Sequence, residues 1–208
     1  MSNLELWNKV CKTDPRHTKK ANVGGNKITS ICPQYQRMNA TEQFGSFGDG
    51  WGVIDEMFST KDFHDGTVLG SYNAKFWYIL ESDKKSFPIY SNTKVAFNTA
   101  SGKYKIDEDW MKKCATDALT KGLSALGFNA DIFLGKFDDN KYVQQVGQEA
   151  QEEDQRKAYV PILLAIDLIN SCKAIDDLKK TWGSLTKPVA ANPQVEKAKD
   201  DKKAELSK

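Results

Sequence analysis

The sequence predicts an α+β fold whose core has the order β-β-β-α, with a three-stranded antiparallel sheet packed on a helix. Aromatic and β-branched residues alternate with polar ones between residues 51 and 97, which is typical of strands. Apolar residues then recur at spacings of three and four over residues 107–126, which is typical of an amphipathic helix. N-terminal helices before this core and short C-terminal helices after it complete the predicted architecture.

Two helices and a basic loop are expected before the sheet. The first helix covers residues 3–12, and a polar, basic loop follows over residues 13–27. The second helix begins at Pro33, because proline suits a first helical turn, and ends at Gly45. The next residues, FGSFGDGWG, contain four glycines, which indicates a tight turn where side chains would obstruct the backbone.

Three strand-like segments follow this turn. They are WGVIDEMF, VLGSYNAKFWYILES and KSFPIYSNTKVAF, with SDKK as the hairpin turn between the last two. Alternation in the second segment predicts one shared face, which we expect to be core: Tyr72, Ala74, Phe76, Tyr78 and Leu80. Trp77 lies on the other face, where stacking on a base is open to it. Pro88 predicts that the third strand is bent or lies at an edge. Trp51 and Phe44 are expected to pack behind the glycine turn.

The helix predicted over residues 107–126 has Asp107 as its N-cap and ends at Gly127. Its apolar stripe consists of Met111, Ala115, Ala118, Leu119, Gly122 and Leu126. Because several of these residues are small, the helix can lie very close to a sheet.

Composition predicts three regions along the chain. Residues 1–145 form the core, and residues 146–186 form a helical appendage. The start of the appendage, QQVGQEAQEEDQRKAY, is a linker or a solvated helix. Residues 187–208 contain two prolines and no apolar period, which predicts a flexible tail.

Charge and composition exclude several classes of protein. The net charge is +2, so a nucleic-acid site has to come from local clustering. Basic residues are concentrated in residues 1–41, seven against two acidic ones, and in residues 75–105, six against two. The longest apolar stretch, residues 161–169, is far shorter than the ~20 residues that span a membrane. We therefore expect a soluble, cytoplasmic protein without a membrane partner.

Catalytic and cofactor motifs are missing from the sequence. The four cysteines form no CxxC pair, so we expect free thiols and no zinc site. No Walker loop, GxSxG or HExxH occurs. The acidic pair Asp138 and Asp139, and the run 107–109, could bind a metal, but helix N-terminal charge is the favoured interpretation. The sequence predicts a binding protein that is not an enzyme and has no cofactor.

Two segments carry a family resemblance. Residues 38–53 contain an Ala-x-Glu-x-Phe-Gly pattern followed by Gly-Trp, and these positions are Ala40, Glu42, Phe44, Gly45, Gly50 and Trp51. Residues 112–143 contain a basic helix motif with Lys112, Thr116, Asp117, Ala118, Leu119, Lys121, Leu123 and Gly127. In this order, with three strands between them, the segments resemble the Rad-fifty-two superfamily of single-strand annealing proteins. The N-terminal segment is similar to that of phage-encoded members through Thr13, Asp14, Pro15, Thr18, Lys19, Lys20, Gly24 and Gly25.

The resemblance implies that residues 1–145 bind single-stranded DNA and assemble into a ring of many subunits. The ring would anneal complementary strands of phage DNA in a bacterial host cell without ATP. Lysine and arginine bind phosphates by counterion release, and few base contacts are expected. The family's helix has two adjacent basic residues where this chain has Thr120 and Lys121. The candidate DNA-binding residues are Lys19, Lys20, Arg37, Lys94, Lys103, Lys105, Lys112 and Lys121. The C-terminal segment is a candidate site for the host single-stranded-DNA-binding protein or a nuclease.

Three other functions are compatible with the residues. A plain single-stranded-DNA-binding protein would coat DNA without annealing it. A nuclease would use Asp138 and Asp139 with a further partner. An interaction module without DNA affinity would account for the fold alone.

Overall fold

The computed structural model describes residues 4–23 and 25–207, and the chain divides into two compact units, Met1–Val146 and Gly147–Lys208. The first unit contains α1 Glu5–Val10, β1 Thr18–Val23, β2 Asn26–Ile31, α2 Pro33–Phe44, β3 Trp51–Asp62, β4 Val68–Leu80, β5 Asp83–Asn98, β6 Tyr104–Ile106, α3 Trp110–Ala125 and α4 Ala130–Phe133. Helix α5, Asn140–Ser171, crosses into the second unit, which also contains α6 Ile175–Ser184, α7 Lys187–Ala190 and α8 Pro193–Leu206.

The predicted α+β class is confirmed, with a curled antiparallel sheet, but the sheet has one strand more than expected. Its order is β3-β4-β5-β6. The fourth strand, β6, pairs with the last three residues of β5, and it is too short for alternation to indicate it in the sequence. Strand β6 does not extend as far as Pro88, so at this position β5 is an edge strand that pairs with β4 alone. An edge position tolerates the missing N–H of proline. A two-residue turn, Glu81 and Ser82, joins β4 to β5 with both φ angles positive.

The core of the first unit lies between the sheet and helix α3. The predicted apolar face of β4 is confirmed, with Phe76 fully buried and Tyr72 and Tyr78 nearly so. The face that carries Trp77 is the opposite one, yet Trp77 is 7% exposed. Its ring is covered by the Lys84 ammonium, which lies 4.1 Å from the ring centroid, so stacking on a base is not open to it as it stands.

The glycine turn between α2 and β3 has the predicted form. Helix α2 begins at Pro33 and is followed by Gly45 at a φ of 93°, so both predicted ends are confirmed. Gly50 has no room for a side chain, because a Cβ there would lie 1.7 Å from the Phe44 carbonyl oxygen. Trp51 and Phe44 are buried beside this turn, as expected.

The N-terminal segment differs from the prediction. Strands β1 and β2 form an antiparallel hairpin where a basic loop was expected, and the first helix is shorter than residues 3–12. The second strand contains the β-branched residues Ile28, Thr29 and Ile31, which favour a strand, but the density of charge and of glycine in this segment favoured a loop. Asn3 and Gly24, which belong to the predicted helix and to the resemblance, lie outside the described residues.

Helix α3 begins at Trp110, three residues later than predicted. Asp107 precedes it and accepts a hydrogen bond from the Asp109 N–H at 3.2 Å. The buried face of α3 consists of Cys114, Ala118, Leu119, Gly122 and Leu123. Met111 of the predicted stripe is half exposed. In the first turn of α3 it is Trp110 that packs on the sheet, against Gly70.

A buried carboxylate joins the N-terminal segment to the residues after α3. Asp131 is 2% exposed. Its oxygens accept hydrogen bonds from the Thr13 N–H at 2.8 Å, the Thr13 hydroxyl at 2.6 Å and the Tyr142 hydroxyl at 3.0 Å. Such a network over-determines the position of both segments.

The second unit is helical throughout. The polar segment that was either a linker or a solvated helix is part of α5, which continues through Pro161. The predicted flexible tail is wrong for most of its length, because α8 spans Pro193–Leu206. Asn192 caps this helix by accepting from the Gln194 N–H at 3.0 Å, and Val195 is fully buried in a cluster with Ile169 and Leu178. Among the described residues, no helix combines the length and apolar character needed to cross a bilayer.

Candidate nucleic-acid interface

The eight predicted DNA-binding residues lie in four places of the first unit. Lys19 and Lys20 are in the β1–β2 hairpin, and Arg37 is on α2. Lys94, Lys103 and Lys105 lie at the β5–β6 end of the sheet, and Lys112 and Lys121 lie on α3. Each group has its own geometry.

The two lysines of α3 point in different directions. They are nine residues apart, which at roughly 100° per residue places them half a turn apart around the helix. The Lys112 ammonium lies 3.0 Å from Asp109, and the Lys121 ammonium lies 2.7 Å from Asp117. Both pairs are exposed, so they hold the lysines weakly and leave them available to a phosphate.

Lys121 is tied to the sheet through its carboxylate partner. The buried Ser91 hydroxyl of β5 donates to Asp117 Oδ2 at 2.5 Å, and the same oxygen accepts from Lys121. This chain of contacts fixes one flank of α3 against β5. Cys114 lies beneath it, and burial raises the pKa of its thiol above the usual value, so the thiol is protonated and unreactive at neutral pH.

The end of the sheet brings two predicted lysines together. Lys105 is opposite Phe97 in the β5–β6 ladder, and the Lys94 ammonium lies 5.6 Å from the centroid of the same ring. The turn that contains Lys103 is closed by Thr99, whose hydroxyl bonds both the N–H and the C=O of Lys103. A phosphate beside Phe97 would therefore meet two ammonium groups.

Arg37 and Lys20 occupy separate surfaces. The Lys20 ammonium donates to the Thr29 hydroxyl at 2.8 Å across the hairpin. Arg37 lines an open groove of about 490 Å³ together with Gln34, Met38, Thr41, Phe47 and Trp51. Met38 and Phe47 are more than half exposed there, so the groove combines one cation with apolar surface.

Three of the acidic residues that could have bound a metal, Asp107, Asp109 and Asp139, have structural partners. Asp107 binds the Lys113 ammonium at 2.6 Å, and the hydrogen bond from Lys113 helps hold the Asp107 pKa below its usual value. Asp139 accepts from the Lys141 N–H at 2.8 Å at the start of α5. Within the described ranges, no three His, Cys, Asp or Glu residues are grouped closely enough to hold a metal ion.

Sequence reasoning missed several basic residues on the face of the sheet that points away from α3. They are Lys61, Lys75 and Lys84, and they share this face with Lys94. The alternation of Lys84, Tyr90 and Lys94 in the third strand was a usable signal. The sequence gives no such signal for Lys61, because a bulge between Ile54 and Met57 changes which residues of β3 point to this face.

Comparison of the chain with models of protein families gave no match, and comparison with curated proteins gave none either.

Proposed function

We propose that this protein binds single-stranded DNA and anneals complementary strands without ATP, as a ring-forming member of the Rad-fifty-two superfamily. It would act in the cytoplasm of a bacterial host cell, in homologous recombination of phage DNA. Single-stranded DNA is the substrate, and the C-terminal unit is the candidate partner site for a host single-stranded-DNA-binding protein or a nuclease.

The observation that carries the proposal is the packing of the two segments that bear the resemblance. Phe44 of the first segment and Phe128 beside the second have ring centroids 5.7 Å apart. Ala40 and Ala118, one from each segment, are fully buried in the same core. Several residues that carry the resemblance are therefore core residues, which supports the proposal that the fold is shared.

The surface chemistry is compatible with sequence-independent binding. Exposed lysines at the sheet end and on both flanks of α3 present cations that a DNA backbone can reach. Annealing requires that bases remain readable, so binding through phosphates suits it. The ion pairs that hold Lys112 and Lys121 are exposed and exchangeable, which suits a strand that has to be released after pairing.

The experiment is a fluorescence annealing assay with two labelled complementary oligonucleotides and no ATP or metal ion. We expect the protein to accelerate annealing, and the acceleration to fade as salt rises. The variant with Lys112→Ala and Lys121→Ala should bind more weakly than the matched variant with Lys179→Ala and Lys203→Ala, which removes two exposed lysines of the second unit. Native mass spectrometry of the unmodified chain tests the ring.

A coating protein that does not anneal is the second candidate. It is favoured by the separation of the eight predicted residues into four places, since scattered cations can hold one strand without aligning a second. Tight binding without acceleration of annealing would select it, and loss of labelled DNA on adding Mg²⁺ would instead indicate a nuclease.

A further inference from the structure

One face of the four-stranded sheet is exposed to solvent along most of its length. Helix α3 packs on the face that carries Phe76 and Ile89. The opposite face, here called the open face, is formed by ladder rows that the pairing register defines. Its rows are Gly52–Trp77–Ser86, Ile54–Lys75–Pro88, Met57–Asn73–Tyr90, Ser59–Ser71–Asn92 and Lys61–Leu69–Lys94, with Ile79–Lys84 at the end.

The open face is basic. All positions of these rows belong to the described part of the chain; four are lysine and none is acidic. Lys105 of β6 lies on the same face, opposite Phe97. Lys84 lies near the start of β5 and Lys94 lies further along the same strand, about 33 Å away at the rise of a strand. Two carboxylates lie near these lysines: Asp55 of the β3 bulge, 3.0 Å from the Lys75 ammonium, and Asp65, which interacts electrostatically with Lys94. A polyanion that follows the strands would meet cations at both ends and in the middle.

The centre of the open face carries exposed side chains that suit a planar ring. Tyr90 is 68% exposed and Met57 is 60% exposed. They flank Asn73 in one ladder row, which places them on either side of a polar amide. An aromatic ring that is this exposed in the middle of a sheet keeps apolar surface in contact with water, which is unfavourable unless a partner covers the ring.

We propose that the open face binds one single strand of DNA, with a base stacked on Tyr90 and phosphates on Lys61, Lys75, Lys84 and Lys94. This inference rests on the proposed function and names the surface that performs it. Charge complementarity selects a polyanion, and the exposed ring selects one whose base faces are free. A duplex offers phosphates to the lysines, but it has no free base face that could stack on Tyr90.

The bulge in β3 contributes to this surface. Asp55 has a φ of 56°, and the residue added at the bulge shifts the alternation of β3, so that Met57 and Lys61 point to the same face as Ile54. Without the bulge, Phe58 would point to the open face and Met57 to the core. The bulge thus assembles the surface while keeping Phe58 against Tyr72, 4.7 Å away in the core.

The test is fluorescence anisotropy of a labelled oligo-dT with the full chain across a salt series. Tyr90→Ala should weaken binding about tenfold, and Tyr90→Phe should restore it, because stacking needs the ring and not the hydroxyl. Tyr104→Ala is the matched control. Tyr104 is 57% exposed and alternates with Lys105 in the β6 ladder, so it projects from the other face, and its removal should change affinity less than twofold.

The lysines are tested through the salt dependence. Lys61→Ala with Lys94→Ala should reduce the slope of log affinity against log salt by about 1.4, because each lost phosphate contact to a single strand contributes about 0.7. The control pair Lys179→Ala and Lys203→Ala should leave the slope unchanged. Thermal melting of every variant checks the fold, since all of these side chains are exposed.

The outcomes separate this inference from the proposed function. If the unmodified chain fails to bind oligo-dT at low salt, both are overturned. If it binds, but the Tyr90 and open-face lysine variants match their controls while Lys112→Ala with Lys121→Ala weakens binding, the inference is overturned and the proposed function stands. If duplex DNA competes as well as oligo-dT, stacking on Tyr90 is overturned.

Discussion

Replacing Gly50 by alanine should destabilise the first unit severely. The added Cβ would lie 1.7 Å from the Phe44 carbonyl oxygen and 2.7 Å from its carbon. Since real Cβ contacts essentially never fall below 3.0 Å, the oxygen has to move by about 1.3 Å, the difference between those two distances. That oxygen belongs to the backbone at the end of α2, so no side chain can rotate away. Overpacking costs about 1–3 kcal/mol where side chains can adjust, and we expect the loss of unfolding free energy to exceed about 3 kcal/mol.

Gly48→Ala is the matched control in the same turn. Gly48 has a φ of 95° but open space around its Cβ position, so the substitution adds left-handed strain of about 1–2 kcal/mol and no clash. At about 2–4 °C per kcal/mol for a chain of this size, Gly50→Ala should lower Tm by about 6 °C or more and Gly48→Ala by less. Differential scanning fluorimetry measures both. Equal Tm values for the two variants would refute the reasoning that the clash at Gly50 fixes this turn.

Three further substitutions test the fold. Asp131→Ala removes a buried acceptor from the Thr13 and Tyr142 groups and should lower the free energy of unfolding by at least about 3 kcal/mol in urea titrations, whereas the exposed Asp109→Ala should lower it by less than about 1 kcal/mol; similar losses would contradict the network. Asp55→Val should be destabilising by about 1–2 kcal/mol because Asp55 has a φ of 56°, and Asp55→Gly should be nearly neutral; the reverse order would argue against the bulge. Burial and, second, the hydrogen bond to Glu56 raise the pKa of Tyr72 above its ordinary 10.0, so the stabilisation is complete below pH 10 and declines as pH rises above it. Tyr72→Phe should reduce that decline in the free energy of unfolding, measured by urea titrations between pH 9 and 11. An unchanged dependence on pH would show that Tyr72 is not its cause.

Local patterns predicted the parts of the fold in which one residue fixes the backbone. Pro33 and Gly45 fixed both ends of α2, and alternation in β4 identified its buried face because the period of a strand is two. Strand β6 and helix α8 could not be predicted from local patterns. Strand β6 is three residues long, which is too short to show alternation. Helix α8 is stabilised by the burial of Val195 against residues that are distant in sequence.

The candidate site was harder to predict than the core. Charge density identified Lys94 and Lys105, and the family resemblance identified Lys112 and Lys121. Neither signal gives the direction of a side chain, and the two lysines of α3 point half a turn apart. Lys61 joins Lys94 on one face through pairing with Leu69 and through the bulge at Ile54 and Met57. Both depend on register, which is set by the whole sheet.

The measurement that tests the central claim most directly is the rate of annealing of two labelled complementary oligonucleotides with and without the protein, in the absence of ATP and metal ions. The account predicts acceleration that fades with salt and is weakened by Lys112→Ala with Lys121→Ala. The proposal would be contradicted by an annealing rate equal to that of free DNA, measured at a protein and salt concentration where anisotropy shows that both strands are bound.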